Sequence, residues 1–232
     1  MKKTAHIALP ALAVACSFAS GAQAAVVVAG WSMATAIPAA VTGTSYNYGV
    51  ADSGDLASGT MLSSGHAAAA TTYSSPTGNG STYSFSSNNW MIGDYYQVSV
   101  STIGYSGVSI SWDQTRSGTG PATFDAVMSV DGGTNWTTIL AGYSVVQAGL
   151  AGTGTTTWNT TTQQPGFTLT AVASAAANGQ ANVLFRLRST ATTAAAGTNR
   201  VDNIVVSGTA IPAPGALALL GVAGLIGARK RR

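Results

Sequence analysis

The chain has 232 residues, enough for one domain with a sizeable core, and only 7% of them are charged. Six of the ten lysines and arginines lie at positions 2–3 and 229–232. Between residues 25 and 210, four arginines and seven aspartates give a net charge of −3. Nucleic-acid binding requires a basic surface that meets the phosphates, so we expect no nucleic-acid partner. The single cysteine, Cys16, excludes a disulfide within the chain.

The first 24 residues follow the pattern of a secretory signal peptide. Positive charge at residues 2–3 precedes an apolar run over residues 7–18, and an A-x-A cleavage site ends at Ala24. We therefore predict that signal peptidase cuts the exported chain between Ala24 and Ala25. A lipoprotein is the alternative, because the residues before Cys16 form a loose lipobox that would make this cysteine the lipidated first residue.

Strand signals recur between residues 25 and 207, with turn residues between them. Apolar and polar residues alternate around Val98, Ile110 and Phe185, and the last segment places Arg186 and Arg188 on its opposite face. Helix signals are nearly absent, and no repeat of the length found in propellers or solenoids is visible. The pattern predicts an all-β domain over residues 25–207, a single antiparallel β-sandwich that is jelly-roll-like.

Residues 129–136 match the Asp-box pattern S-x-D-x-G-x-x-W, which occurs in sialidases and related β proteins. The pattern indicates a tight hairpin in which Asp131 caps turn amides and Trp136 packs beneath the turn. A sialidase needs several such boxes and an arginine triad, and this sequence offers one box. We therefore interpret the box as structural.

The candidate ligand-binding residues are Trp90, Tyr95 and Trp158, which we expect to be exposed. Aromatic faces can stack on the C–H groups of sugars, and nearby asparagines can bind the hydroxyls: Asn88, Asn89 and Asn159. The alternative is that these aromatic residues support the core or its loops, as most tryptophans and tyrosines do.

Asp202 is the candidate metal ligand. Residues 201–206 resemble the closing strand of many secreted jelly rolls, and alternation places Asp202 on the same face as Ile204 and Val206. A carboxylate that points toward a core needs a partner. The sequence leaves open whether that partner is an arginine (Arg116 or Arg200), backbone amides or a structural Ca²⁺ ion with further oxygen ligands.

Catalytic residues are not evident. His66 is the only histidine outside the signal peptide, and no nucleophile elbow or spaced pair of carboxylates accompanies it. We therefore expect a protein that is not an enzyme.

Residues 208–232 are predicted to form a linker and a sorting segment. The uncharged residues 215–228 would form a helix about 21 Å long, shorter than a hydrocarbon core of ~30 Å. We expect a transient inner-membrane association with the basic tail in the cytoplasm, and a permanent tail anchor is the alternative. The segment combines a Pro-x-Pro element and a basic end: Pro212, Ala213, Pro214, Arg229, Lys230, Arg231 and Arg232.

This order of parts resembles the PEP-CTERM sorting signal of Gram-negative bacteria. The resemblance implies an exosortase-like protease that removes the tail and delivers the protein to the cell surface or the extracellular polymer. Ala213 stands where the family usually has Glu, which leaves open the sortase that recognises the segment. Residues 93–121, the Asp box and residues 202–203 also resemble an uncharacterised secreted module that often accompanies such tails.

Three hypotheses for function follow. The main one is a non-catalytic, exported cell-surface or extracellular-matrix protein with a structural or adhesive role. The first alternative is a surface carbohydrate-binding module with extracellular polysaccharide as its partner. The second is a polysaccharide hydrolase with an unrecognised pair of aspartates.

Overall fold

Two antiparallel β-sheets form the part of the chain that the computed structural model describes, residues 23–150 and 156–212. The all-β prediction is confirmed, and short 3-10 turns at Pro165–Phe167 and Ala175–Ala177 are the helical elements of these residues. The strands are β1 (Ala25–Trp31), β2 (Val41–Thr42), β3 (Ser45–Gly49), β4 (Met61–Gly65), β5 (Thr72–Ser74), β6 (Phe85–Ser87), β7 (Tyr95–Val100), β8 (Tyr105–Arg116), β9 (Thr123–Ser129), β10 (Thr137–Ser144), β11 (Thr168–Val172), β12 (Val183–Ser189) and β13 (Asn199–Ala210).

The strand order differs between the sheets. In the seven-stranded sheet it is β11-β8-β13-β6-β5-β2, and β1 pairs with β13 as well. In the six-stranded sheet it is β10-β9-β12-β7-β4-β3. Since most neighbours are distant in sequence, the sheets assemble from long-range pairings. The narrower jelly-roll prediction stays a prediction.

The core lies between the sheets, and strands with alternating buried residues contribute much of it. In β7, Tyr96, Val98 and Val100 are buried, while the residues between them are partly exposed. Strands β8 and β12 contribute inward-facing residues in the same way, so the alternation predicted from their sequences is confirmed. The large side chains with less than 2% exposure include Trp31, Phe85, Trp90, Trp112, Phe124, Phe185 and Ile204.

Strand β13 contains a bulge that changes the predicted orientation of Asp202. Asp202 pairs with Asp113, but the next pair is Val205 with Ser111, so β13 has one extra residue. Asn203 occupies the bulge with φ 47°, in the left-handed region that Asn tolerates better than most residues. Asp202 therefore shares a face with Val205, and the prediction that it shares one with Ile204 and Val206 is wrong.

The outer faces of the two sheets differ in accessibility. The loops around residues 76–84 and 157–167 cover the outer face of the seven-stranded sheet, where Asp113, Thr115 and Asp202 are buried. On the six-stranded sheet, the outward residues of β3, β4 and β7 are half-buried or exposed. The six-stranded sheet therefore offers an open outer surface.

Both ends of the described chain lie in the seven-stranded sheet. Strand β1 begins at Ala25, which pairs with Thr209. Strand β13 continues to Ala210, so residues 208–210, assigned to the linker from the sequence, belong to the sheet. Most of the predicted signal peptide and of the sorting segment lies outside the described residues, as do Ala213, Pro214, Arg229, Lys230, Arg231 and Arg232. Within residues 23–150 and 156–212, no helix has the length and apolar character needed to cross a bilayer.

Candidate functional site

Tyr95 lies on the open face of the six-stranded sheet, at the start of β7. Its ring lies directly on the backbone of Gly65 in the neighbouring strand β4. A Cβ atom at position 65 would be 2.5 Å from the Tyr95 Cζ and Oη atoms, so glycine is the residue that permits this contact. Tyr95 is half-buried, and its role as a ligand-binding residue stays a prediction.

The guanidinium group of Arg186 packs against two aromatic rings. Its Cζ atom lies 3.7 Å from the ring centroid of Tyr95 and 4.2 Å from that of Trp136. Its Nε donates a hydrogen bond of 2.7 Å to Gln97 Oε1 on β7. Burial lowers the pKa of Arg186, but arginine keeps its proton in proteins. Tyr95, Arg186 and Trp136 form a fixed group of three planar side chains, called the Tyr95–Arg186–Trp136 cluster below.

The Asp-box hairpin holds Trp136 in this cluster. Asp131 accepts hydrogen bonds from the main-chain N–H and side-chain amide of Asn135, and from the Ser129 hydroxyl. These bonds lower the pKa of the Asp131 carboxyl to about 2. The Trp136 indole N–H donates to the Gly133 carbonyl, and the ring rests on the outer face of the sheet, half-buried. The hairpin is structural as predicted, but it presents Trp136 outward.

Polar side chains extend the open face beside the cluster. Arg186 pairs with Gln97, Gln97 with Ser63 and Ser63 with Asn47, which gives one row across four strands. A groove of about 440 Å³ borders Tyr95 and Gly65 in the adjacent row and continues along the loop that carries Ile92. The face therefore combines aromatic surface, hydrogen-bonding groups and a depression.

Buried groups beneath the groove are structural. Asp94 accepts hydrogen bonds from the main-chain N–H groups of Ala67 and Met91, and its Oδ2 lies 3.2 Å from His66 Nδ1. The His66 ring packs edge-on against Trp90, with 4.5 Å between ring centroids. Ser64 Oγ and His66 Nε2 are both buried without a partner among the described residues. His66 and Asp94 also line the groove. Ser64 Oγ and His66 Nε2 do not hydrogen-bond to each other, so these two residues are not arranged as a nucleophile–base pair.

Trp90 is a core residue, so its predicted exposure is wrong. Its ring has 0% exposure and packs edge-to-face against Tyr96 and Phe124, with centroids 5.1 and 5.4 Å away. Its indole N–H donates to the Ser87 carbonyl. The neighbouring Asn88 accepts a hydrogen bond from the main-chain N–H of Thr72, and Asn89 donates one to the Ala70 carbonyl. The sandwich needs a large apolar ring at this position, and an isolated Trp in a polar loop sequence gives no sign of that need.

Trp158 is also buried, with 3% exposure, which contradicts its predicted exposure. The ring packs edge-on against Phe167 at 5.7 Å, and the guanidinium of Arg200 lies 4.9 Å from the ring centroid. Asn159 accepts hydrogen bonds within its own turn, from Thr161 and Thr162. The residue fixes the loop that covers the seven-stranded sheet, far in the fold from the Tyr95–Arg186–Trp136 cluster.

Asp202 is buried in a network of hydrogen-bond donors. It accepts bonds from the Ser81 hydroxyl and from the main-chain N–H groups of Asn79 and Asn203. Its pairing partner Asp113 accepts bonds from three side-chain amides and from a hydroxyl: those of Asn79, Gln163, Asn203 and Thr168. Burial, and to a lesser extent the charge of Asp113, raise the pKa of Asp202 to about 6.

This donor set fits hydrogen bonding better than calcium. A Ca²⁺ ion needs about six oxygen ligands, whereas Asp113 and Asp202 are surrounded by N–H and O–H groups that point hydrogen atoms at them. No group of three or more His, Cys, Asp or Glu residues is placed to hold a metal ion within the part of the chain that the structure describes. Of the partners left open by the sequence, backbone amides are present, joined by side chains of the covering loops.

Among the comparisons with known proteins, only those with solved structures find similarity to this chain. No family model matches the chain, and no curated protein matches it significantly. The CBM22-1 xylan-binding domain of Xyn10C from Paenibacillus barcinonensis has 14% identity and a TM-score of 0.43, over 83% of this chain and 100% of that domain. The tandem CBM22-1–CBM22-2 domain of the same protein has 16% identity and a TM-score of 0.49, over 84% of this chain and 50% of the tandem domain.

The K1 cleaved adhesin domain of Lys-gingipain from Porphyromonas gingivalis W83 has 16% identity and a TM-score of 0.42, over 76% of this chain and 95% of that domain. With TM-scores below 0.5, these similarities assign neither a family nor a ligand to this chain. The functional argument therefore depends on the described side chains.

Arg186 and Trp136 are the site residues that sequence reasoning misses. The alternation of β12 places Arg186 outward, but the sequence does not show which aromatic rings it meets. The Asp-box spacing identifies Trp136 and assigns it to the turn. The sequence does not reveal that β12 pairs with both β7 and β9. This pairing brings residues 95, 136 and 186 together.

Proposed function

We propose that the chain is a non-catalytic carbohydrate-binding protein whose ligand is a polysaccharide that lies across the open face of the six-stranded sheet. The observation that carries the proposal is the Tyr95–Arg186–Trp136 cluster. Aromatic rings offer apolar surface to the C–H groups of a sugar, and their polar edges remain available for hydrogen bonds. Arg186 holds both rings in place, so little conformational entropy is lost on binding.

The surroundings of the cluster suit an extended polymer. Gln97, Ser63 and Asn47 continue the surface across three more strands and offer donors and acceptors to hydroxyl groups. The groove of about 440 Å³ beside Tyr95 lies within the size range of small-molecule sites. Binding of this kind would give the protein an adhesive or structural role in an extracellular polymer without any catalytic step.

Calorimetric titration against neutral polysaccharides and the producing cell's own extracellular polysaccharide tests the proposal. We expect Tyr95→Leu and Trp136→Leu each to weaken binding by about tenfold or more, because each removes one ring from the cluster. Ile103→Ala is the control, since Ile103 is 59% exposed in the turn between β7 and β8 and outside the cluster. Affinity that both leucine variants leave unchanged would contradict the proposal.

We propose further that the protein reaches this polymer by export and C-terminal sorting. The predicted signal peptide would direct export, and the exosortase-like protease would release the chain from its transient membrane association. The order of the motifs in the sequence supports this route. A cut after Ala24 is compatible with the fold, because β1 begins at Ala25 and would remain whole.

A further inference from the structure

A second cavity lies on the seven-stranded sheet, away from the Tyr95–Arg186–Trp136 cluster. It has a volume of about 380 Å³, within the range of small-molecule sites and much larger than a single inorganic anion needs. Its lining is unusual for a domain whose residues 25–210 have a net charge of −3, because it includes two of the four arginines in that range, Arg116 and Arg200.

Neither arginine is neutralised by an ion pair within the described residues, where Arg188 is the one arginine that pairs with a carboxylate. Arg116 donates to the carbonyl groups of Val145, Ser117 and Gly118. Arg200 donates to the Thr77 carbonyl, and its guanidinium packs against Trp158. These bonds fix both guanidinium groups without cancelling their charges.

Asp202 does not form an ion pair with Arg200. Asp202 lies two residues further along the same face of β13, but its oxygens accept hydrogen bonds from Ser81, Asn79 and Asn203. Burial lowers the pKa of Arg200, and the charge of Asp202 offsets only part of this effect. A ligand that brings a negative group would remove this cost.

Hydroxyl groups surround the two arginines. Ser74 pairs with Ser86, Ser86 with Arg200 and Arg200 with Thr115, which places them in one row across the sheet. The cavity wall also includes hydroxyl side chains from three loops: Ser117, Thr157 and Thr198. Beside this wall, the buried indole N–H of Trp158 has no acceptor among the described residues.

We propose that this cavity binds an acidic sugar, with the carboxylate of a uronate residue against Arg116 and Arg200 and the sugar hydroxyls against the serines and threonines. The planar fork of a guanidinium matches a carboxylate in geometry, and charge-assisted hydrogen bonds are about twice as strong as neutral ones. The site is independent of the cluster on the other sheet. A polymer that contains both neutral and acidic sugars would meet two different surfaces of one molecule.

Calorimetry with trigalacturonate, a neutral trisaccharide, acetate and inorganic phosphate tests the proposal on the full chain. We expect trigalacturonate to bind with an affinity that falls as salt rises, because ions screen the arginines. The neutral trisaccharide should bind this cavity at least tenfold more weakly. Equal affinity for trigalacturonate, acetate and phosphate would show a site for free anions and would overturn the assignment to a sugar.

Arg200→Gln and Arg116→Gln should each weaken trigalacturonate binding by at least about tenfold, because each removes a charged donor. Arg188→Gln is the matched control: it removes the same charge from the six-stranded sheet, where Arg188 pairs with Asp125. Equal losses of trigalacturonate affinity in all three variants would indicate a long-range charge effect. That result would contradict binding in the cavity.

Ser74→Asp provides a test that leaves both arginines and their loop contacts in place. Ser74 is exposed at the cavity wall, so an aspartate there should fold normally and should compete for the arginines. Unchanged trigalacturonate affinity in Ser74→Asp would place the ligand elsewhere.

Tyr95→Leu should leave trigalacturonate affinity unchanged, while Arg200→Gln should leave neutral polysaccharide binding unchanged. The proposals for the two binding sites can therefore be refuted separately.

Discussion

Asp202 and Asp113 face each other across β13 and β8, and both side chains have 0% exposure. Two buried carboxylates at adjacent positions are costly unless donors surround them or one carboxyl carries a proton. The covering loops supply the donors, and the raised pKa of Asp202, about 6, shows that the cost is not fully offset. At this position the fold depends on how residues 79, 81 and 203 are arranged.

Replacement of Asp202 by alanine should destabilise the protein. The variant leaves the main-chain N–H groups of Asn79 and Asn203 without their acceptor, which costs about 1–3 kcal/mol. Urea unfolding at pH 5, where the Asp202 carboxyl is largely protonated, measures the change. EDTA should leave the wild-type midpoint unchanged. A midpoint that falls with EDTA would instead identify calcium as the partner of Asp202.

The same carboxyl should make stability depend on pH between about 4 and 7. Because burial raises the folded-state pKa of Asp202 from 3.8 to about 6, the folded state holds this proton more tightly than the unfolded state. The contribution of Asp202 to the free energy of unfolding should therefore be fully present below about pH 4 and should be lost as pH rises through 6, by on the order of 2–3 kcal/mol. Urea titrations across this range should show the decline in wild type and its loss in Asp202→Asn. Stability that rises over the same range would disprove this assignment.

Single tryptophans show where sequence reasoning fails at the residue scale. Trp90, Trp136 and Trp158 all stand among Ser, Thr, Asn and Gly, so local composition predicts the same exposure for each. Trp90 fills the core and Trp158 lies under a covering loop, whereas Trp136 rests on an outer face. The difference depends in part on contacts with distant residues, which no local pattern contains: Phe124 for Trp90, Arg186 for Trp136 and Arg200 for Trp158.

The hairpin between β9 and β10 is the element that connects a local sequence motif to the proposed binding surface. Gly132 and Gly133 have φ values of 74° and 92°, which side chains rarely adopt. The two glycines differ in their surroundings. A Cβ at Gly133 would lie 3.3 Å from the Trp136 Cζ2 atom, whereas one at Gly132 would have no neighbour within 4 Å.

Gly133→Ala should therefore weaken polysaccharide binding, and Gly132→Ala should not. Both variants strain the turn by about 1–2 kcal/mol, so their melting temperatures should fall together. Only Gly133→Ala pushes against the indole of Trp136 and disturbs the cluster. Parallel calorimetric titrations of the two variants separate the position of the ring from the stability of the turn. Equal loss of binding in both would mean that turn stability, not ring position, controls the affinity.

At the scale of elements, the sequence predicts strands where one face meets the core and the other meets water. Strands β7 and β12 show this alternation, and their positions follow from it. Strands β3 and β5 are rich in Tyr, Ser, Thr and Asn and bury few side chains, so their sequences carry no such signal. The bulge at Asn203 is equally hidden, because an extra residue in one strand is defined only by the partner strand.

At the scale of the whole molecule, the two sheets divide the chemistry of the chain. The open six-stranded sheet carries the aromatic cluster, and the covered seven-stranded sheet carries the carboxylate network and the cavity with Arg116 and Arg200. The net charge of −3 between residues 25 and 210 hides this division. A mildly acidic domain with one locally basic cavity can select an acidic sugar without attracting nucleic acid in general.

The N-terminus of the delivered protein should be Ala25. Strand β1 begins at this residue and pairs with β13 along its length, so a cut after Ala24 would keep every strand of the seven-stranded sheet. N-terminal sequencing of the exported protein measures the position. Recovery of a lipid-modified Cys16 would show that the lipoprotein alternative is right and would leave the intervening residues in place.

The C-terminus of the delivered protein should lie before the apolar residues 215–228. Strand β13 ends at Ala210 and Pro212 is the last described residue, so a cut after this point would leave the strand pairings of both sheets intact. The helix predicted for residues 215–228 would be about 21 Å long, too short to span a ~30 Å hydrocarbon core well. This length favours a transient membrane association over a permanent anchor. Mass spectrometry of protein recovered from the cell surface or the medium should therefore find no peptide that contains Arg232.

Replacement of Arg229, Lys230, Arg231 and Arg232 by serine should leave unprocessed chains, because the basic end would no longer fix the orientation of the segment in the membrane. A delivered protein that still ends at Arg232 would establish the tail-anchor alternative.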